Sequence, residues 1–347
     1  MIRGRSILRR AAALSPWRGK RLQSTKAPIL PIVDLSNEAQ ASIDLHHAFS
    51  TYGCCYLKGH GIDVAQETRV MDAAHSLFQL PKSVKETYHR PASSDGFVRG
   101  YLGLGAESGS EDLFEVKEAF SYGYEWEGSP QNPLQGENVW PTELASSHKA
   151  GLQHFYTDIA AVSDKVCRIA SVALGKPPSH FSSFCTEGDT ISIMRAFHYF
   201  PYSIMDGASQ TDAATFIGSS PHTDWGFITL ILQDPVGGLQ LFHNDSWHDV
   251  PYIPGTIFVN GGDYLSLLTQ GTWVSPIHRV INDASERYSM VFFYYPTYDA
   301  KIPISPKPTA ASGDGIAKFN TLLDGHQSTL DMSFGAYISS KWANVQR

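Results

Sequence analysis

Residues 219–233 read Ser-Ser-Pro-His-Thr-Asp-Trp-Gly-Phe-Ile-Thr-Leu-Ile-Leu-Gln, and this stretch decides the fold. His222 and Asp224 stand two apart in what reads as extended chain, so both side chains reach the same side. The apolar run Phe227–Leu232 follows at once and reads as a buried strand.

Outward from this stretch, Thr190–Phe200, Leu239–Phe242, Trp247–Val250, Thr256–Val259, His278–Ile281 and Tyr288–Tyr295 also read as strands, punctuated by Gly, Pro, Asn and Asp. Many short strands with turn residues between them predict a sandwich or jelly roll. Upstream, helical spacing appears over Asn37–Thr51, Val64–Leu80 and Ser146–Leu174, the last capped by Ser146 or Ser147. Short strands are expected at Pro28–Leu35, Cys54–Leu57 and Ala119–Tyr122, and a closing helix at Phe334–Val345. The expected class is therefore mainly β with flanking helices.

His278 opens a later strand in Ser-Pro-Ile-His-Arg-Val-Ile. Two imidazoles and one carboxylate make a facial triad that leaves half of an octahedral metal open, which suits non-haem Fe(II) activating O2. The four cysteines include no C-x-x-C pair, so a thiolate zinc site or a disulfide scaffold is disfavoured. Arg287 and Ser289 follow, two apart on a strand. Their guanidinium fork and hydroxyl can grip a carboxylate from one face.

The net charge of −7 hides a split. Residues 1–26 carry eight Lys or Arg and no acid, leaving 19 bases against 34 acids, a net of −15, in the remainder. A body that acidic is a poor nucleic-acid binder. No apolar run is long enough to span a membrane. The Arg-rich, Ser-containing start reads as a mitochondrial transit peptide, cleaved near Arg21–Ser24; the alternative is a basic tail on a cytoplasmic protein. A monomer is the default.

In this order the motifs resemble those of Fe(II)/2-oxoglutarate-dependent dioxygenases of the isopenicillin N synthase-like branch. The resemblance rests on LPIVDLS, YGCCYLKGHGI, LFQLPKSVKETY, KEAFSYG, MRAFHYFPY, PHTDWGFITLILQD, GGLQLF, NGGDYLSLLTQG, PIHRVIND and ERYSMVFFYYP. It runs from about Leu30 to the end and implies one integrated fold. Residues 28–145 would form the N-terminal dioxygenase region. Residues 146–347 would form the long helix, a double-stranded β-helix core and the C-terminal helix.

The resemblance implies that His222, Asp224 and His278 bind Fe(II) and that Arg287 and Ser289 bind the distal carboxylate of 2-oxoglutarate. It implies consumption of O2 and release of succinate and CO2, with ascorbate supportive. A small-molecule metabolite would be hydroxylated, desaturated or cyclised, as in specialised metabolism. Relatives often carry a hydroxyl just before the motif's proline, where this chain has Phe200; His198, Tyr199 or Tyr202 would have to serve instead. The alternatives are a cosubstrate-free oxidase of the isopenicillin N synthase type, or a non-catalytic ligand-binding relative.

For the substrate pocket, Trp225, Phe227, Phe293 and Tyr101 are the candidates, with Phe120 near the entrance and one of Phe292 and Phe293 facing inward. His243 and His248 flank Asn244-Asp245-Ser246-Trp247, which reads as a hairpin turn. Asn260, Gly262 and Asp263 read as a turn, from which Asp263 could support the metal site.

Overall fold

The computed structural model describes residues 30–90, 99–107, 113–126, 130–185, 191–201, 216–301 and 332–342. The basic segment 1–26 and Tyr202 lie outside these residues. Among the described residues no helix is long and apolar enough to cross a membrane.

The strands are β1 (Ile32–Asp34), β2 (Cys54–Lys58), β3 (His89–Arg90), β4 (Arg99–Leu102), β5 (Phe114–Glu115), β6 (Lys117–Gly123), β7 (Ile193–Tyr199) and β8 (Phe216–Ile217). They continue with β9 (Ser219–His222), β10 (Ile228–Gln233), β11 (Leu239–His243), β12 (Ser246–Asp249), β13 (Ile257–Gly261), β14 (His278–Val280) and β15 (Arg287–Tyr294). A nine-stranded sheet runs β1-β2-β13-β10-β15-β7-β6-β4-β3, and a four-stranded sheet runs β12-β11-β14-β9. β8 pairs with β5 in a separate two-stranded sheet, and from β9 onward the chain passes back and forth between the two larger sheets, which is the jelly-roll arrangement. The N-terminal stretch was expected to be mostly helical with isolated strands, but β1–β4 and β6 extend the large sheet itself.

Three helices, Glu38–Thr51, Val64–Phe78 and Ser146–Ala173, pack together against the large sheet. Leu152, Phe155, Ile159, Val162, Val166 and Ile169 form the buried stripe of the 28-residue helix. Ala145, not a serine, occupies its N-cap, and no side chain caps it. Asn37 and Asp63 do cap the two earlier helices, each accepting from a backbone N–H. Every residue of β10 is buried. Helices cover one face of this strand and the cavity described below lies on the other, which accounts for its unbroken apolar run.

The β11–β12 hairpin closes through Asn244 and Asp245, both at positive φ (48° and 58°). Of the residues read from sequence as a turn, Asn260 lies in β13, which ends at Gly261, and Asp263 opens a short helix to Leu268.

Candidate active site

His222 ends β9 and His278 opens β14, and the two are direct partners across the small sheet. Their rings lie 4.3 Å apart between centroids. Asp224 stands just beyond β9, with its Oδ1 3.7 Å from Nε2 of each histidine. One ligand atom from each residue falls within 4.8 Å of the others.

The supporting contacts fix which atoms face this point. His222 Nδ1 lies 2.7 Å from the Ser220 carbonyl and His278 Nδ1 lies 3.1 Å from the Pro276 carbonyl. A carbonyl can only accept, so each Nδ1 carries the proton and each Nε2 keeps its lone pair. Asn260 Nδ2 donates to Asp224 Oδ2 at 2.7 Å, leaving Oδ1 toward the histidines.

Burial and the neighbouring His278 push the His222 imidazole down to about 4, so it is neutral at ordinary pH. Burial pushes the Asp224 carboxyl up, but His278, His222 and the Asn260 hydrogen bond together hold it below its usual range. Two imidazoles and a carboxylate are the donor set Fe(II) takes.

Backbone contacts hold the Asp224 segment in place. Asp263 N–H donates to the Asp224 carbonyl at 2.7 Å and Tyr264 N–H to the Gly226 carbonyl at 3.1 Å. A Cβ on Gly262 would stand 2.2 Å from the Gly226 carbonyl oxygen, and one on Gly226 would stand 2.3 Å from the Tyr295 ring. Only glycine permits this approach. Asp263 is support of a modest kind: its Oδ2 accepts from Thr223 Oγ1 at 3.2 Å.

The triad opens into a cavity of about 970 Å³, counted out to its mouth, between the two sheets. β7 and β15 form its floor in antiparallel register: Tyr199 opposite Arg287, Phe197 opposite Ser289, Arg195 opposite Val291. All six line the cavity.

Arg287 is 3% exposed. Its Nη1 donates to Ser289 Oγ and its Nη2 to Gln233 Oε1, both at 3.3 Å. Its Nε has no acceptor, and among the described residues no carboxylate stands within ion-pair distance of the group, Asp234 acting on it only from further off. The guanidinium carbon lies 4.6 Å over the Tyr199 ring. A buried cation with an orphaned N–H, beside a hydroxyl, fits an arriving carboxylate.

Strand alternation separates the remaining candidates. His198 neighbours Tyr199 on β7 and so points to the opposite face. There its Nδ1 bonds Glu118 Oε1 at 2.8 Å and its ring stacks on Tyr288, 4.5 Å between centroids. His198 is thus a correction to the sequence reading, whereas Tyr199 lines the cavity. Phe200 does not line the cavity, whereas Tyr199, one place earlier, brings its ring against the guanidinium.

Trp225 and Phe293 line the cavity. Phe227 does not: it is wholly buried on the helix side, 5.1 Å from Phe181 and 6.3 Å from Tyr264 between ring centroids. Tyr101 does not either; its hydroxyl donates to Glu118 Oε2 at 2.6 Å beneath Lys85, behind the sheet. Phe120 packs against Trp140 and Phe292 against Tyr156, both in the core.

Sequence reasoning missed Asn260, Gln233, Glu107, Glu115, Lys117, Arg195 and Trp342. Arg195 and Lys117 sit in motifs quoted for the resemblance, and period-two counting from Tyr199 along β7 would have placed Arg195 on the cavity face. Lys117 Nζ lies 2.7 Å from Glu115 Oε2. Burial alone would raise the Glu115 carboxyl, but Lys117 outweighs it and holds it down at about 2.

Comparisons with known proteins agree with this geometry. The 2OG-Fe(II) oxygenase superfamily model matches residues 190–296, and the model for the N-terminal part of the non-haem dioxygenases in morphine synthesis matches residues 30–143. The 2-oxoglutarate-dependent dioxygenase traH of Penicillium crustosum is 31% identical over 301 residues, 81% of this chain and 88% of that protein. Clavatol oxidase claD of the same organism is 32% identical over 316 residues, covering 82% and 89%. Among solved structures, a full-length Neurospora crassa protein in complex with alpha-KG (2-oxoglutarate) superposes with a TM-score of 0.73 at 26% identity, covering 92% of this chain and 98% of that one.

The chain belongs to the Fe(II)/2-oxoglutarate-dependent oxygenase family. It is an oxidoreductase that uses Fe(II), 2-oxoglutarate and O2 to oxidise a small molecule.

Proposed function

We propose that His222, Asp224 and His278 hold the Fe(II), and that Arg287, Ser289 and Tyr199 hold the distal carboxylate of 2-oxoglutarate. The carrying observation is the buried Arg287 fork, its Nε without an acceptor and no carboxylate within ion-pair distance among the described residues, in the cavity that His222, Asp224 and His278 line.

When bound, Fe(II) supplies the redox chemistry that couples loss of CO2 from 2-oxoglutarate to oxidation of the substrate. The chain's residues do the rest. The Ser220 and Pro276 carbonyls hold both imidazoles in the tautomer that presents Nε2. Asn260 turns Oδ1 of Asp224 toward the same point. Ile231, Leu239 and Val291 give the cavity apolar walls that keep water from the reacting centre.

The substrate reading favoured is a specialised metabolite; the name of the relative clavatol oxidase supports this class. The Arg-rich composition of residues 1–26 supports mitochondrial import.

The test is conversion of 2-oxoglutarate to succinate by purified protein with Fe(II) and ascorbate, without added substrate. Slow turnover that His222→Ala abolishes is expected. No turnover, or turnover unchanged in His222→Ala, would overturn the assignment.

A further inference from the structure

The assigned roles leave two buried ion pairs on the cavity wall without a task. Arg195 Nη2 lies 2.7 Å from Glu107 Oε2, with the two side chains 5% and 10% exposed. Lys117 and Glu115 are the second pair. Arg195 lies four residues from Tyr199 along β7, about 13 Å at strand rise, so it stands well away from the Arg287 anchor.

Arg195 is firmly set. Its Nε donates to Ser121 Oγ at 3.1 Å, and its guanidinium carbon lies 4.9 Å over the Phe197 ring and 5.0 Å over the Trp342 ring. Of its five N–H donors, Ser121 and Glu107 take two. Glu107 Oε1 is buried and has no partner among the described residues. One cavity-lining pair therefore offers an acceptor and a donor side by side, against the Phe197 and Trp342 rings, in a cavity that Trp225 and Phe293 also line.

The charges are already matched: each cation on this wall has its own carboxylate. A charged substrate group would add a buried charge with no counter-ion, a costly arrangement. A neutral group that donates to Glu107 Oε1 and accepts from Arg195 satisfies both partners. Flat aromatic neighbours suit a flat ring.

We propose that the substrate is an uncharged planar ring whose edge carries an N–H or O–H beside a carbonyl oxygen, the donor meeting Glu107 and the carbonyl meeting Arg195. This rests on the placement of 2-oxoglutarate at Arg287, which leaves the Arg195 end of the cavity for substrate.

The test is calorimetric titration of the anaerobic Fe(II)·2-oxoglutarate enzyme with four probes of similar size: 2-quinolone, N-methyl-2-quinolone, 2-naphthoate and 2-naphthylmethylammonium. 2-Quinolone is expected to bind at least about tenfold tighter than the other three, because the N-methyl compound leaves Glu107 Oε1 unsatisfied. In Glu107→Gln the preference for 2-quinolone is expected to shrink, and 2-naphthoate to gain about tenfold as Arg195 loses its counter-charge. Tightest binding of 2-naphthoate to the wild type, equal binding of the two quinolones, or no binding of any probe would overturn the proposal. Failure of 2-oxoglutarate to bind the anaerobic Fe(II) enzyme, titrated before the probes, would instead overturn the reading of Arg287 beneath it.

Discussion

Asn260 donates from its Nδ2 to Oδ2 of Asp224 at 2.7 Å, reaching from the end of β13 to the loop after β9. Both residues are buried, and the bond decides which carboxylate oxygen faces the two histidines.

Replacing Asn260 by leucine removes that donor and leaves Thr229 as the other side chain bonded to the buried carboxylate. Iron affinity is expected to fall about 10–100-fold, the usual effect of losing a group that orients a ligand. Folding stability is expected to drop by about 1–3 kcal/mol. Anaerobic Fe(II) titration and denaturant unfolding of the apoprotein check the two effects separately; unchanged iron affinity would show that Asp224 needs no such support.

Arg287→Lys keeps the charge but loses the fork. The KM for 2-oxoglutarate is expected to rise at least about tenfold, with iron affinity unchanged. Steady-state kinetics on 2-oxoglutarate, paired with iron titration of the same variant, decide this.

His198 and Tyr199 are neighbours in sequence and are expected to behave oppositely. Tyr199→Ala removes the ring under Arg287 and should raise the KM for 2-oxoglutarate several-fold. His198→Ala should leave that KM nearly unchanged and cost about 1–3 kcal/mol of stability, because Glu118 loses a buried partner. Equal effects on KM would contradict the strand parity.

Glu67 gives a pH signature independent of the metal. Burial pushes its carboxyl up to about 7, with Asp63 adding to the rise. The folded state therefore binds more protons than the unfolded chain between about 4.5 and 7, so this group's contribution is lost as pH rises through that window. Glu67→Gln should gain stability relative to wild type above pH 7, with the gain fading toward pH 4.5. Thermal unfolding of apoprotein across this range measures it.

The metal triad was legible because its chemistry is local: two residues apart in one segment, a third at a strand start. That Arg287 and Ser289 face one cavity was legible for the same reason. His198 and Phe227 misled because composition says which residues suit a pocket, but only register says which face they take. Asn260 was hidden because its partner lies 36 residues earlier, and the turn-like composition around Gly261 and Gly262 masked a strand end. Arg195 and Glu107 meet only through folding, 88 residues apart in sequence.

The paired floor of β7 and β15 bears on how this enzyme can change over time. Exchanging Arg195 or Phe293 alters one end of the chamber and leaves the Tyr199–Arg287 end intact, so new chemistry is open to point substitution. One residue gained or lost within β7 would turn every side chain beyond it to the other face, putting His198 inside and Tyr199 outside. Lineages of this fold should therefore vary freely in side chain along β7 while keeping its length fixed.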